Sequence, residues 1–205
     1  MYKTIWIMII VVIMLGCAKE SDLIINNNTN HQIYYSINDG ETITLEGLQS
    51  EKHTFHLGKQ YLLNKPDKTI ELFIEGQTYE LPFGYTATEV NLEADSDYKV
   101  FLWPTHAMVK IINDSDDCIF SIKYMKNYVN NVVISENLLP LGTRLNSGES
   151  IWFRIPALED NLSGNTFFYY TFEVTDVYDQ RYFFGDQDTI LMKDDAYTIV
   201  FQSNK

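Results

Sequence analysis

An all-β fold, built as two tandem small antiparallel β-sandwich modules behind an N-terminal signal segment, is what this 205-residue sequence predicts. Three observations carry that expectation. Aromatic and β-branched residues recur in short alternating segments bounded by Asn, Asp and Gly, the pattern of half-buried strands. Past the N-terminal segment, no stretch sustains apolar residues at i, i+3, i+4 and i+7 between recognisable caps, so helices are not expected. The two halves also repeat each other in order, the mark of a duplicated unit.

The chain opens with Lys3 and an eleven-residue apolar run, residues 5–15, closed by Gly16-Cys17 and the polar stretch Ala18-Lys19-Glu20-Ser21-Asp22. A helix spanning a bilayer needs roughly 20 apolar residues, and this run is shorter. Its charged, apolar and small-residue layout is that of a secretory signal. Residues 1–16 are therefore expected to be the signal and 17–22 a short tether. Strands are expected over 33–37, 71–74, 98–102, 108–112, 150–155, 168–174 and 197–201. Residues 119–133 come nearest to a helix, but Asn127, Asn130, Asn131 and several β-branched neighbours point to a strand followed by an irregular excursion.

The duplication pairs Ile24-Ile25-Asn26 with Ile111-Ile112-Asn113, and Ile33-Tyr34-Tyr35-Ser36-Ile37 with Ile119-Phe120-Ser121-Ile122. It continues with Leu48-Gln49-Ser50 and Phe55 against Leu145-Asn146-Ser147 and Phe153, then Phe83-Gly84 against Phe184-Gly185. Leu92, Asp95, Tyr98 and Val100 match Leu191, Asp194, Tyr197 and Ile199 at the end. The numbering difference grows from about 86 to about 97 and then 99 along these pairs. An insertion of roughly a dozen residues, about 123–144, is therefore expected in the second copy, with modules over 23–103 and 106–203. Pro104-Thr105 makes the joint, because proline resists a central strand and fixes the chain direction.

Three resemblances attach to these residues. Met14-Leu15-Gly16-Cys17 resembles the lipobox of bacterial lipoproteins, with Met14 standing where that family usually carries Leu. The resemblance implies that Cys17 is acylated after export and becomes the mature N-terminus, so that the lipid bilayer is its first partner. Lys19-Glu20 is similar to the Lys-then-acidic tag that sends lipoproteins of Bacteroidota to the outer face of the outer membrane. Leu-x-x-Asp-x-x-Tyr, ending at Tyr98 and at Tyr197, resembles the tyrosine corner of immunoglobulin-like sandwiches, which would make both tyrosines structural, with buried rings and hydroxyls bonded to backbone. The Asn-rich turn, Gly148-Glu149-Ser150 and Tyr178-Asp179 are together similar to the tandem immunoglobulin-like or transthyretin-like modules of such lipoproteins, and Asp188-Thr189-Ile190 to their short O-glycosylation acceptor.

Composition narrows the partners. Once Lys3 is removed with the signal, 28 Asp and Glu face 14 Lys and Arg, a balance that opposes nucleic-acid binding. Cys118 is left without an intramolecular disulfide partner when Cys17 is acylated, and is expected to be a small buried apolar residue. His53 and His56, three apart in a strand, would face opposite sides and are expected to be solvated, with no metal held. The acidic loops Asn113-Asp114-Ser115-Asp116-Asp117 and Gly185-Asp186-Gln187-Asp188 could offer oxygen ligands to calcium, but the first copy's Asn26-Asn27-Asn28-Thr29 keeps the turn chemistry without the charge, favouring turns. No nucleophile elbow, phosphate loop or His-Glu-x-x-His occurs, so neither catalysis nor a cofactor is expected.

Aromatic side chains remain. Trp103 and Trp152 are expected in the core. Alternation cannot bury the four consecutive rings Phe167, Phe168, Tyr169 and Tyr170 on one face. Their strand is either covered on both sides or presents a ring patch to a protein or glycan partner. The sequence thus points to a lipid-anchored surface protein that binds or assists without catalysis. The alternatives are a fimbrial or adhesin subunit, and a glycan-binding accessory of a polysaccharide-uptake system.

Overall fold

The computed structural model describes residues 17–60, 65–82, 85, 87–158 and 167–202. Residues 1–16, expected from sequence to be a signal, and the pair Phe83-Gly84 lie outside the described residues. Every described element is a strand apart from turns and short irregular stretches, and no described helix is long and apolar enough to cross a membrane.

The chain divides into two compact units at Trp103/Pro104, with the three residues Gln77–Tyr79 belonging to the second. In the first unit the strands are β1 (Cys17–Asn27), β2 (Ile33–Ile37), β3 (Ile43–Leu45), β4 (Ser50–Gln60), β5 (Asp67–Gly76), β6 (Ala87–Glu93) and β7 (Asp97–Leu102). They form one sheet in the order β4-β1-β7 and another in the order β3-β2-β5-β6. The second unit holds β8 (Ala107–Asn113), β9 (Ile119–Tyr128), β10 (Val132–Ile134), β11 (Ser150–Ile155), β12 (Phe168–Asp176), β13 (Arg181–Phe184) and β14 (Ala196–Phe201). Its sheets run β11-β8-β14 and β10-β9-β12-β13. In each unit the first strand is flanked by an antiparallel neighbour and by the last strand running parallel to it.

Period-2 alternation builds both cores. In β1, Leu23 and Ile25 are fully buried while Asp22, Ile24 and Asn26 are half-buried on the other face. In β12, Phe168, Tyr170, Phe172 and Val174 turn inward and Tyr169, Thr171 and Glu173 outward. Tyr170 stacks on Phe172 and Phe172 on Tyr197, at 5.8 and 5.5 Å between ring centres. Rings carry a large apolar area each, which lets a unit of this size bury enough surface to fold without disulfides.

Hydrogen bonds set the repeat register more finely than the side-chain pattern did. Asn27 donates through Nδ2 to the carbonyls of His31 and Leu45, and Asn113 donates to those of Asp117 and Leu145. Thr29 and Ser115 close the two turns in the same way, each hydroxyl donating to its asparagine Oδ1 and to the carbonyl two residues on. So Asn27, not Asn26, is the counterpart of Asn113. Likewise Leu45 pairs with Ile33 as Leu145 bridges Ile119, and Ser50 and Ser150 open equivalent strands. Leu48, expected to match Leu145, is an exposed turn residue at φ 60° and corresponds to Gly148 at φ 75°.

Two further expectations change. Residues 17–22 are not a tether but the first half of β1, paired with residues 54–60 of β4. Main-chain pairing is blind to side-chain polarity. Ser21 is nevertheless buried, its hydroxyl donating to the Ser96 carbonyl, and Lys52 pairs with Asp22 at 2.6 Å. The excursion after residue 119 is a hairpin, β9–β10, turned at Val129-Asn130-Asn131 and closed by the Tyr128 amide on the Asn131 carbonyl.

Candidate functional site

The two units differ most at one corner. Ile33 and Leu45 are 12 positions apart, whereas Ile119 and Leu145 are 26 apart, so the second unit spends 14 extra residues between equivalent core positions. The first unit closes this corner without them. Segments added to a self-sufficient scaffold are where binding chemistry concentrates.

The extra residues are held firmly along the edge of β9. Ser135 exchanges bonds with Tyr124, its hydroxyl accepting from the Tyr124 amide and its own amide donating to the Tyr124 carbonyl. The Asn137 carboxamide accepts from the amides of Ile122 and Leu139 and donates to the Phe120 carbonyl. Leu139 drops into the core at 4 % exposure. The chain then turns over Pro140-Leu141-Gly142-Thr143, where both the amide and the hydroxyl of Thr143 donate to the Pro140 carbonyl. Gly142 sits at φ 79°, a conformation that a Cβ would strain.

This turn separates two open clefts of about 430 and 460 Å³. Phe120, Leu141 and Val177 wall the first, and Leu139, Leu145 and Ile151 the second. Arg144 borders both. It is exposed and makes no hydrogen bond or ion pair with any described residue, whereas Arg154 donates to the Tyr79 carbonyl and Arg181 lies 3.8 Å from Glu173. Glu149, the carboxylate of the second cleft, accepts from the amide and carboxamide of Asn146, and those bonds hold its pKa below the usual carboxylate range. Nothing in the sequence singled out Arg144, but the growing repeat offset had already located the insertion that carries it.

Beside the hairpin, strand register assembles an outer surface of mixed apolar and polar side chains. Val132 lies across from Asn127 and then Tyr169, and Ile134 across from Met125 and then Thr171. Val132 and Ile134 are 49 and 60 % exposed. The inner face of the same strands holds Lys126 among rings, 5.1 Å from the centre of Phe168 and 5.9 Å from that of Tyr124, and burial there lowers its pKa.

The residues picked from sequence fall as follows. Cys17 is the first residue of β1, opposite Gln60. Of the four rings taken as one partner-binding set, Phe168 and Tyr170 are core residues, Tyr169 is half-buried on the outer face and Phe167, just ahead of β12, is 38 % exposed. Strict alternation splits the set. The tyrosine-corner reading is corrected: Tyr98 is 43 % exposed, and neither its hydroxyl nor that of Tyr197 bonds to a described residue. The residues that the repeated motif places in an unusual conformation are the aspartates, Asp95 at φ 60° and Asp194 at φ 72°, which turn the chain into β7 and β14. Their amides donate to the carbonyls of Glu20 and His106, equivalent positions in the two units. The buried tyrosine hydroxyls with partners are those of Tyr170, donating to the Pro156 carbonyl, and of Tyr35, donating to Glu51. Tyr170→Phe is accordingly expected to cost about 1 kcal/mol in urea unfolding, and Tyr197→Phe less than about 0.5 kcal/mol. The opposite ranking would reinstate the corner.

Other expectations also shift. Trp103 is 63 % exposed beyond the end of β7, and Trp152 half-buried on β11, so neither is a core anchor. Cys118 is half-buried, not buried, with Sγ 3.4 Å from Asn146 Oδ1. His56 is exposed with Nδ1 2.9 Å from Glu20, but His53 packs edge-on against Tyr35, with Nε2 2.7 Å from the tyrosine hydroxyl. Thr189, the suggested glycan acceptor, is 8 % exposed and its hydroxyl accepts from the Asp186 amide, so it is not offered to solvent. In the acidic loops, Asn113 and Ser115 bond their own turn, and Asp186 Oδ1 accepts from the Asp188 amide. Asp176, the charged member of the described buried set, accepts from the amides of Tyr178 and Gln180 and the hydroxyl of Tyr182, bonds that shape the β12–β13 turn.

No protein-family model matches the chain, and no curated protein matches it in sequence. Among solved structures it is similar to the Bacillus anthracis TIE protein, at 9 % identity and a TM-score of 0.27, over 90 % of this chain. The chain spans only 34 % of that protein's length. A candidate cell adhesion protein from Bacteroides uniformis gives 9 % identity and a TM-score of 0.34, with 94 % of each chain covered. A fimbrial assembly protein from Parabacteroides distasonis gives 9 % identity and a TM-score of 0.28, covering 90 % of this chain and 91 % of that one. Likenesses at such scores bear on neither ancestry nor function.

Proposed function

We propose that this chain is a lipid-anchored protein displayed on the outer face of an outer membrane, where it binds a protein or glycan partner and performs no catalysis of its own. One observation carries the reading. Cys17, the residue that the lipobox marks for acylation, opens β1, and β1 is the central strand of its sheet. An acyl group on Cys17 would therefore be joined to the folded unit with no flexible spacer between them. The location of the two sandwiches then becomes the basis of their function, since chains in the bilayer hold a rigid binding surface at the membrane boundary.

A fimbrial subunit that assembles by strand addition would call for an unfilled strand position. Both first strands are bonded on each side, β1 between β4 and β7 and β8 between β11 and β14, which favours the accessory reading over strand exchange. Surface display is tested by adding a protease to intact cells. Degradation without permeabilising the outer membrane is expected. Protection until the membrane is opened would place the protein on the inner leaflet and defeat the surface claim.

A further inference from the structure

The geometry points to Arg144 as a receptor for the C-terminal carboxylate of a polypeptide whose last side chain is apolar. The argument starts from charge. Of the chain's three arginines, Arg144 alone has no hydrogen bond or ion pair with a described residue, and it borders both clefts of the insertion; Glu149 lies in the second, which leaves the first as the place for an anion. Guanidinium is planar and offers paired donors that match a carboxylate bidentately.

The walls select what accompanies the carboxylate. Phe120, Leu141 and Val177 are all exposed, at 38, 104 and 46 %, and together they offer one side chain a place to leave water. The other polar side chains at the turn are committed. Asn137 bonds Ile122, Leu139 and Phe120, and Thr143 bonds Pro140. An acidic sugar would bring several hydroxyls and meet few unspent partners, which disfavours it. A long acyl chain is disfavoured as well, because the apolar walls Phe120, Leu141 and Val177 are themselves exposed and would leave much of it in water. A chain terminus needs one ion pair and one apolar contact, and its upstream amides can stay hydrated in the open mouth. The first unit lacks the insertion, so the site belongs to the second alone.

The test uses the full chain and a fluorescein-labelled peptide, Gly-Ser-Gly-Ala-Leu, as the free acid and as the C-terminal amide, followed by fluorescence polarisation. The free acid is expected to bind about five- to tenfold more tightly than the amide. Arg144→Gln should erase that difference, and Arg144→Lys should restore part of it. Leu141→Ser should weaken acid and amide alike while leaving their ratio intact. Equal binding of acid and amide, unchanged binding of the acid by Arg144→Gln, or absence of saturable binding would overturn the proposal. Displacement of the peptide by decanoate or by galacturonate more readily than by unlabelled free acid would overturn it in favour of a fatty acid or an acidic sugar. Arg144 is exposed and bonds no described residue, so its variants are expected to fold, and matching urea midpoints would confirm that.

Discussion

Cys17→Ala is expected to abolish incorporation of labelled fatty acid and to move the protein from the membrane to the soluble fraction. The sulfur is the only atom at that position able to take the thioether-linked lipid, and alanine removes it while leaving the backbone unchanged. Each buried methylene contributes about 0.8 kcal/mol, a single myristoyl chain binds only marginally, and stable retention needs a second chain or signal. Removing the attachment point therefore removes essentially all membrane affinity. The same substitution should leave the fold intact, because Cys17 meets Gln60 through the strand pairing of β1 with β4, and alanine can occupy that place. Retained label or membrane retention in a correctly folded variant would end the lipoprotein reading. It would leave the Arg144 site untouched, since that site lies wholly in the second unit.

Asn113→Ala carries the largest expected cost in stability, roughly 2–4 kcal/mol by the usual penalty for stranding buried polar groups. Asn113 is 0 % exposed. Its carboxamide donates to the carbonyls of Asp117 and Leu145 and accepts from both the amide and the hydroxyl of Ser115. Alanine would leave those groups buried without a substitute and leave a cavity besides. The Leu145 bond is the important one for the site, because it ties the end of the insertion to the turn after β8. Loss of stability should therefore be accompanied by faster amide exchange at residues 139–145. Asn27→Ala is expected to do the same in the first unit, since its bonds to His31, Leu45, Glu46 and Thr29 have the same pattern. A midpoint for Asn113→Ala within about 0.5 kcal/mol of the parent would show that water replaces these bonds and that the turn is not a stability element.

These two residues were legible to different degrees. Cys17 stood out because the expected signal is a linear pattern, of the kind export machinery reads from an extended chain. Asn113 was legible as a turn former, yet its partner in the repeat was misassigned by one position. Composition cannot distinguish Asn26 from Asn27 when three asparagines run together; the bonds to Leu45 and Leu145 can. The four rings from Phe167 to Tyr170 show the same limit. Alternation dictated that two point each way, but which two depends on which face meets the core, and that is settled by the pairing of β12 with β9.

The Arg144 clefts were not legible at all beyond the presence of an insertion. Phe120, Leu141 and Val177 are far apart along the chain, and they meet because β9, the turn at 140–143 and the end of β12 lie side by side. Arg144 is chemically notable because it makes no ion pair with any described residue, and Glu149, the carboxylate that shares its second cleft, is bonded to Asn146 instead, a fact about neighbours in space. The polar stretch 18–22 makes the opposite error instructive, since its composition suggested a tether and backbone hydrogen bonds made it a strand.

By itself, then, the sequence determined what depends on neighbours along the chain: the period-2 strands of an all-β fold, the duplication and the place of the insertion. Only the tertiary structure decided strand register, which aromatic faces are buried, and that neither the Tyr197 hydroxyl nor Arg144 has a hydrogen-bond partner among the described residues. The physical reason is range. Alternation and turn chemistry act over a few residues, whereas burial, charge pairing and hydrogen-bond satisfaction are properties of atoms brought together from distant parts of the chain.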